Sequence, residues 1–278
     1  MERDERMQDK KLLYPVVTLL LAAILIFAVT EALSGAGTKY PREGNKTKQD
    51  QKLKLDISNS SEGYFMAKVS KRTSKKLKLR VVIKNTTLDY DMPNTGEYIV
   101  VPLQMGSGKY KVSLYENTSG KKYAAAGTIT LNAQLKREDG AFLYPNLYVN
   151  YNKATKAVAQ ADSLCKGMKE KEAFDAVCTY MKSFVYDYMK AINIKPGMLP
   201  DIEGSWNKRM GVCQDLAAIM CCMLRSQGIP ARLMIGYADK NYHAWTMTKI
   251  GGKDVLYDPT AALNAIAKPK KYTVERYY

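Results

Sequence analysis

The sequence predicts a mixed helix-and-strand protein in three parts: an apolar N-terminal segment, a small β-domain and a larger C-terminal domain. Three observations support this prediction. Residues 12–29 form an uncharged apolar run, whereas residues 61–138 contain short strand-like runs with no helical period. From residue 139 onward, apolar residues first recur at helical spacing and strand-like runs follow.

The apolar run is just long enough to cross a bilayer. Lys10 and Lys11 precede it, as in a signal sequence, and the small residues that follow it resemble a cleavage site. We therefore predict a transmembrane signal anchor over residues 12–33, with residues 1–11 as a short cytoplasmic tail; the alternative is a cleaved signal peptide. Nothing polar alternates along the run, which argues against a buried core helix. The other domains are expected outside the cell, tethered by a single pass through the cell membrane or secreted after cleavage.

A polar, Lys- and Gly-rich stretch at residues 34–60 predicts a linker. The strand-like runs that follow predict a small β-sandwich over residues 61–138. They lie at residues 63–70, 76–84, 96–101, 109–116 and 123–135. Because residues 61–138 contain no histidine and no cysteine, we expect this domain to bind a partner or to act as a spacer rather than to carry out nucleophilic chemistry.

Two helices are predicted at the start of the C-terminal domain, over residues 153–168 and 170–190, followed by a loop over residues 191–210. A third helix of about fifteen residues begins at Cys213, where the helical spacing starts, and Gly228-Ile229-Pro230 ends it. A helix N-terminus presents free N–H groups and a positive dipole, which favour a thiolate over a thiol. The same N–H groups are suited to stabilising an oxyanion.

Three strands are predicted next, over residues 232–237, 242–249 and 253–257. A Gly251-Gly252 loop between the last two is a strong hairpin signal, and it places Trp245 opposite Asp258. His243 lies two residues from Trp245 and so faces the same side of the sheet. His243 and Asp258 are therefore diagonal neighbours within reach of a hydrogen bond.

A thiol, an imidazole and a carboxylate can form an activated nucleophile, its base and the group that orients the base. His243 is the only histidine of the 278-residue chain. Each residue also has a plainer interpretation: Cys213 as a small buried hydrophobe, His243 as a hydrogen-bonded core histidine, and Asp258 before a proline as a turn residue.

Four short motifs occur in order in this domain: Gly-Val-Cys-Gln-Asp at 211–215, Gly-Ile-Pro-Ala-Arg at 228–232, His-Ala-Trp at 243–245 and Asp-Pro-Thr at 258–260. Together they resemble the transglutaminase-like superfamily, over roughly residues 150–262. The resemblance implies an α+β fold with a papain-like core, and the change of sequence pattern after residue 138 predicts that the domain spans residues 139–278. It also implies that Cys213 is the nucleophile, His243 the base and Asp258 the orienting carboxylate.

Animal enzymes of that superfamily stabilise the oxyanion with a tryptophan well upstream of the cysteine. Tyr186 and Tyr188 lie in the corresponding region of this chain. Trp206, only seven residues before the cysteine, is instead a candidate wall of the cleft, as is Gln214, and Trp245 is expected to pack beside the site. No cofactor is implied, and a single histidine without a C-x-x-C pair argues against a zinc site.

The net charge of +16 is spread over both predicted domains. Residues 37–140 carry 20 Lys or Arg against 10 Asp or Glu, and residues 141–278 carry 19 against 12. Such a field attracts polyanions, but no zinc-finger, RRM or helix-turn-helix signature indicates specific nucleic-acid binding. Outside a bacterial cell, anionic wall polymers and lipid head groups are the natural partners of this charge.

The sequence and the resemblance together predict an exported, membrane-tethered cysteine enzyme that acts on amide bonds of cell-surface protein or peptide substrates. Hydrolysis and acyl transfer through a thioester both fit. Two alternatives stay open: a catalytically silent surface module that keeps a papain-like fold for binding, and a basic adhesin that binds polyanions.

Overall fold

The computed structural model describes residues 39–195 and 197–278. The predicted cytoplasmic tail, the signal anchor and the first part of the linker lie outside these residues. Within the described ranges, no helix is both long and apolar enough to cross a membrane.

The first eight strands of the described chain form two antiparallel sheets of four strands each. They are β1 Thr47–Asp50, β2 Leu53–Asp56, β3 Tyr64–Val69, β4 Leu77–Ile83, β5 Thr86–Met92, β6 Ile99–Pro102, β7 Gly108–Ser119 and β8 Lys122–Ala133. One sheet has the order β1-β2-β3-β6 and the other β5-β4-β7-β8. In β4, Leu79 and Val81 are buried while Arg80 faces solvent, which is the half-solvated pattern predicted for the basic run at this position.

The prediction of a polar linker through residue 60 is wrong for residues 47–56, which form β1 and β2. Leu53 and Leu55 of β2 are fully buried, and the backbone N–H of Lys52 donates to Ala126 of β8. The composition misled because β1 is an edge strand without a buried side chain, and β2 contributes only two apolar residues. Strand β5 was also missed, since its residues are mostly polar. The β-sandwich and the domain boundaries stay predictions.

The remaining described chain contains six helices and six strands. The helices are α1 Lys156–Leu164, α2 Glu170–Met181, α3 Tyr188–Asn193, α4 Ile202–Lys208, α5 Cys213–Ser226 and α6 Pro259–Ala262. The strands are β9 Val185–Tyr186, β10 Met210–Gly211, β11 Ala231–Ala238, β12 Asn241–Ile250, β13 Lys253–Tyr257 and β14 Tyr272–Tyr277. β9 and β10 form a short parallel pair, and the other four make an antiparallel sheet of order β13-β12-β11-β14.

The second predicted helix, over residues 170–190, ends at Met181 in the structure. A tight turn follows, in which the N–H of Phe184 donates to the carbonyl of Met181. Phe184 is buried after the turn, so the apolar pattern continues although the helix does not. Helical periodicity alone could not separate these two cases.

Helix α5 forms the centre of the C-terminal part, and all its residues from Asp215 to Ser226 are buried. Its only basic residue, Arg225, donates to the backbone carbonyls of Ala231, Tyr144 and Tyr278 at 2.7–2.8 Å. A buried guanidinium is tolerated there because its N–H groups find three acceptors. Arg225 thereby joins the helix to the sheet and to the segment that links the two parts of the chain.

Strands β12 and β13 form the predicted hairpin, in which Ile250 pairs with Lys253 and Met247 with Leu256. The loop residues Gly251 and Gly252 have φ values of 56° and 78°. Two successive residues with positive φ define a type I′ turn, whose twist matches the flanking strands. The register predicted from the glycines is therefore confirmed.

Candidate active site

Cys213 is the first residue of α5, where the sequence predicts it, and its side chain is half-buried. The helix is capped by Asp215, whose carboxylate accepts the backbone N–H of Val212 at 3.0 Å. Asp215 therefore stabilises the first turn of the helix. The thiol is left at a helix end with positive dipole and free N–H groups.

His243 lies on β12 opposite Gly236 of β11 and is 6% exposed. Its Nε2 atom is 2.9 Å from Oδ2 of Asp258, the diagonal contact that the hairpin register predicts. The thiol of Cys213 is also close enough to the imidazole to help raise the pKa of His243. The structure thus brings the three predicted residues together.

Asp258 caps helix α6, and Oδ1 accepts the backbone N–H groups of Thr260 at 2.9 Å and Ala261 at 3.1 Å. These contacts fix the plane of the carboxylate, so that Oδ2 points at His243. Burial by itself raises the pKa of Asp258, but the imidazole of His243 and the donors around the carboxylate outweigh it and hold the pKa below its usual range. The carboxylate is therefore ionised at neutral pH.

Burial by itself lowers the pKa of His243, whereas the hydrogen bonds with Asp258 and Cys213 act in the opposite direction. The hydrogen bonds win and raise the pKa of His243 to about 9. An imidazolium beside a buried carboxylate at neutral pH follows from this balance. Such an imidazolium can stabilise a neighbouring thiolate and later give up its proton.

Tyr272 is a residue of the site that sequence reasoning missed. Its hydroxyl donates to Oδ2 of Asp258 at 2.9 Å, and its ring packs on Trp245 with centroids 4.9 Å apart. Burial and the charge of Asp258 raise the pKa of Tyr272, so it remains a neutral donor. No sequence signal marked it, because only the pairing of β14 with β11 brings it to Asp258.

The five other candidates occupy different places. Tyr186, in β9, lies opposite Gly211 and close to Cys213; burial, and secondarily the thiol, raise its pKa to about 12. Tyr188 is exposed and its hydroxyl donates to Ala265 at 3.3 Å. Of the two tyrosines, Tyr186 is the one beside the thiol.

Trp206 does not line a cleft. It is buried, stacks on Tyr180, and carries the guanidinium of Arg209 on its ring at 4.5 Å. Its role as a cleft wall is therefore wrong, and the reason is that α4 turns it towards α2. Gln214 is half-buried and donates to the carbonyl of Met198 at 3.2 Å, and Trp245 is fully buried beside His243, as expected.

All five cysteines lie within the described residues and are free thiols. Burial raises the pKa of Cys178 to about 12 and that of Cys221 to about 11, and it raises the pKa of Cys165 and Cys222 as well. Among residues 39–195 and 197–278, no group of three or more His, Cys, Asp or Glu is arranged to hold a metal ion.

The transglutaminase-like superfamily model matches residues 156–259, and no curated protein matches the chain. Solved structures are also similar to this chain, and three of them are given below. A candidate cysteine protease from Cytophaga hutchinsonii is 20% identical, with 68% of each chain covered and a TM-score of 0.38. The periplasmic domain of TgpA from Pseudomonas aeruginosa is 15% identical, with 81% of this chain and 78% of that chain covered and a TM-score of 0.37.

Red sea bream transglutaminase is 11% identical, with 71% of this chain and 48% of that chain covered and a TM-score of 0.30. The family match spans Cys213, His243 and Asp258. It agrees with the helices and the antiparallel sheet that hold these residues, which make an α+β fold. Residues 156–259 thus match the transglutaminase-like superfamily, the same family that the sequence motifs of this region resemble.

Proposed function

We propose that this protein is a cysteine enzyme that cleaves or transfers amide bonds through a thioester on Cys213. The observation that carries the proposal is the contact of Nε2 of His243 with Oδ2 of Asp258 at 2.9 Å, together with the influence of the nearby Cys213 thiol on the pKa of His243. A buried carboxylate, an imidazole and a thiol at a helix N-terminus are the parts needed to generate a thiolate and to return a proton.

In the proposed reaction, Sγ of Cys213 attacks the carbonyl carbon of an amide. The backbone N–H groups of the first turn of α5 and the hydroxyl of Tyr186 stabilise the oxyanion. The imidazolium of His243 gives its proton to the amide nitrogen, the C–N bond breaks, and an amine leaves. Water or a second amine then attacks the thioester and loses a proton to His243, and the thiolate of Cys213 departs.

The setting of this chemistry is also a proposal. We expect the enzyme at the cell surface, tethered through residues 12–29 or released after cleavage, with protein or peptide substrates there. A β-sandwich at residues 61–138 would space the catalytic domain from the membrane. The charge of +16 supports attraction to anionic wall polymers, whose strength should fall as salt screens the exposed lysines.

Labelling of the native full-length protein with iodoacetamide near neutral pH, followed by peptide mapping, tests the proposal. Cys213 should react first and His243→Ala should slow it, because the imidazole is what stabilises the thiolate. Cys178 is a matched control in the same protein, since it is also half-buried but lacks a histidine partner. Preferential labelling of Cys178, or a Cys213 rate that does not depend on His243, would favour a non-catalytic binding module.

A further inference from the structure

An exposed apolar surface lies beside the thiol of Cys213. We define the docking surface by six large side chains from one short segment, all at least 36% exposed: Tyr188, Met189, Ile192, Ile194, Met198 and Leu199. Ile192 and Met189 are the most exposed of them, at 77% and 70%. Soluble proteins rarely expose so many apolar side chains together without a binding role.

Polar contacts hold the segment in place, including those of the Tyr188 hydroxyl with Ala265 and of the Lys195 N–H with the sulfur of Met198. None of the six residues of α3, all within the described range, is buried. The helix is capped by Asp187, which accepts the N–H of Lys190 at 2.8 Å, and Lys190 in turn pairs with the buried carboxylate of Asp215 at 2.6 Å. An isolated helix this short is unstable in water, so these anchors are what keep the apolar side chains presented to solvent.

The same anchors join the docking surface to the N-terminus of α5. Asp215 lies two residues after Cys213. Gln214, the residue next to Cys213, donates to the carbonyl of Met198 at 3.2 Å. Tyr186, the last residue of β9 and two residues before Tyr188, lies close to the thiol. A chain that presents an amide to Cys213 therefore has its neighbouring residues beside this surface.

The charge of the surface narrows the occupant further. Lys195 is exposed and pairs with no acidic side chain among the described residues. Two carboxylates lie next to the segment, and both have partners: Asp187 caps α3, and Asp91, which lies near Gly197, pairs with Lys78 at 3.0 Å. The two methionines and the exposed tyrosine of the docking surface suit contact with apolar peptide side chains, and Lys195 suits an acidic one.

We propose, building on the proposed function, that this surface recognises the substrate, and that the substrate is a polypeptide with large apolar residues and an acidic residue next to the amide that Cys213 attacks. The apolar side chains would cover Met189, Ile192 and their neighbours, and the acidic residue would meet Lys195. The enzyme would therefore select substrates by the residues that flank the attacked amide, because the docking surface lies outside the thiol–imidazole pair.

The test uses two peptides that carry the same thiol-reactive chloromethyl ketone, one with Leu, Ile and Glu next to it and one with Gly and Ser. The rate constant for modification of Cys213 in the full-length protein is measured for each and divided by that for iodoacetamide with the same protein. The apolar acidic peptide should react about tenfold faster, which corresponds to one further large apolar side chain being buried. The double variant Met189→Gln/Ile192→Gln should remove most of that preference.

Met168→Gln is the matched control, since Met168 is also exposed but lies on the loop between α1 and α2; it should keep the preference. Equal rates for the two peptides would overturn the proposal. The proposal would also be overturned if the double variant kept the peptide preference but lost binding to anionic vesicles, because the surface would then bind a membrane. It would likewise be overturned if the double variant lost a dimer instead, because the surface would then bind a second copy of the chain. Failure of the proposed function is distinct, since iodoacetamide would then react without dependence on His243.

Discussion

Replacing Asp258 with asparagine should lower the pKa of His243, and the effect can be estimated from the structure. Asparagine keeps the size of the side chain and an oxygen that can accept the N–H groups of Thr260 and Ala261. It removes the negative charge that faces Nε2 of His243 at 2.9 Å. With that charge gone, burial, which lowers the pKa of His243, is opposed only by the hydrogen bond with Cys213.

The pKa of His243 is about 9, against an ordinary value of 6.5. At about 1.4 kcal/mol per pKa unit, the imidazolium is stabilised by about 3 kcal/mol, shared between Asp258 and Cys213. We expect the pKa in Asp258→Asn to fall by about 2 or more, to near or below its ordinary value. The same change should slow alkylation of Cys213 severely, although less than the complete loss in Cys213→Ala.

The assay needs no assignment, because His243 is the only histidine in the chain. Its imidazole Cε1–H signal can be followed by NMR from about pH 5 to about pH 11, a range that brackets both pKa values. A pKa in Asp258→Asn within about half a unit of the wild-type value would refute the reasoning, since Asp258 would then contribute little to the imidazolium.

The stability of the protein supplies a second check. His243 has a raised pKa in the folded state, so its contribution is fully present below pH 6.5 and is lost as the pH rises through about 9. Asp258→Asn should therefore lower the free energy of unfolding by up to about 3 kcal/mol near pH 6 and by much less near pH 10. A difference that does not shrink over this range would count against the ion pair.

Three further substitutions probe the surroundings of the site. Tyr272→Phe should raise the pKa of His243 by less than about one unit, because Oδ2 of Asp258 would no longer be shared with a second donor. Tyr257→Phe is the control: the Tyr257 hydroxyl donates to the backbone carbonyl of Cys178, so its loss should leave the pKa of His243 unchanged. Arg225→Met should lower the free energy of unfolding by about 3 kcal/mol, measured by urea denaturation, because three backbone carbonyls lose their donors. Gly236→Ala should displace β14 and cost about 2 kcal/mol, since a Cβ there would lie 2.0 Å from the carbonyl oxygen of Thr273; an unchanged melting curve would contradict this.

The hairpin could be predicted from sequence because its register depends on local chemistry. Gly251 and Gly252 select a two-residue turn, and a slip by one residue would move every apolar side chain of β12 to the other face. The contact of His243 with Asp258 follows from that register. The start of α5 at Cys213 was equally local, since it follows from helical spacing.

The parts that could not be predicted depend on long-range pairing. Tyr272 reaches Asp258 only because β14 joins the far side of β11, and nothing in the residues around Tyr272 announces that partner. Trp206 was misjudged because its distance from Cys213 along the chain says nothing about the direction in which α4 turns it. Strand β1 was invisible to composition, since its residues are polar; it pairs with β2 through backbone groups and contacts β8 through the side chains of Lys48 and Asp50.

The position of Tyr272 in the chain has a consequence for the order in which the site matures during synthesis. The thiol, the imidazole and Asp258 are all translated before β14, and the second contact to Oδ2 of Asp258 comes from the first residue of β14. β14 also supplies the partner strand for Gly236, directly across from His243. Because a nascent chain is made from its N-terminus, the contacts of β14 with Asp258 and with β11 form only after residues 272–277 have left the ribosome, so this part of the candidate site is completed last.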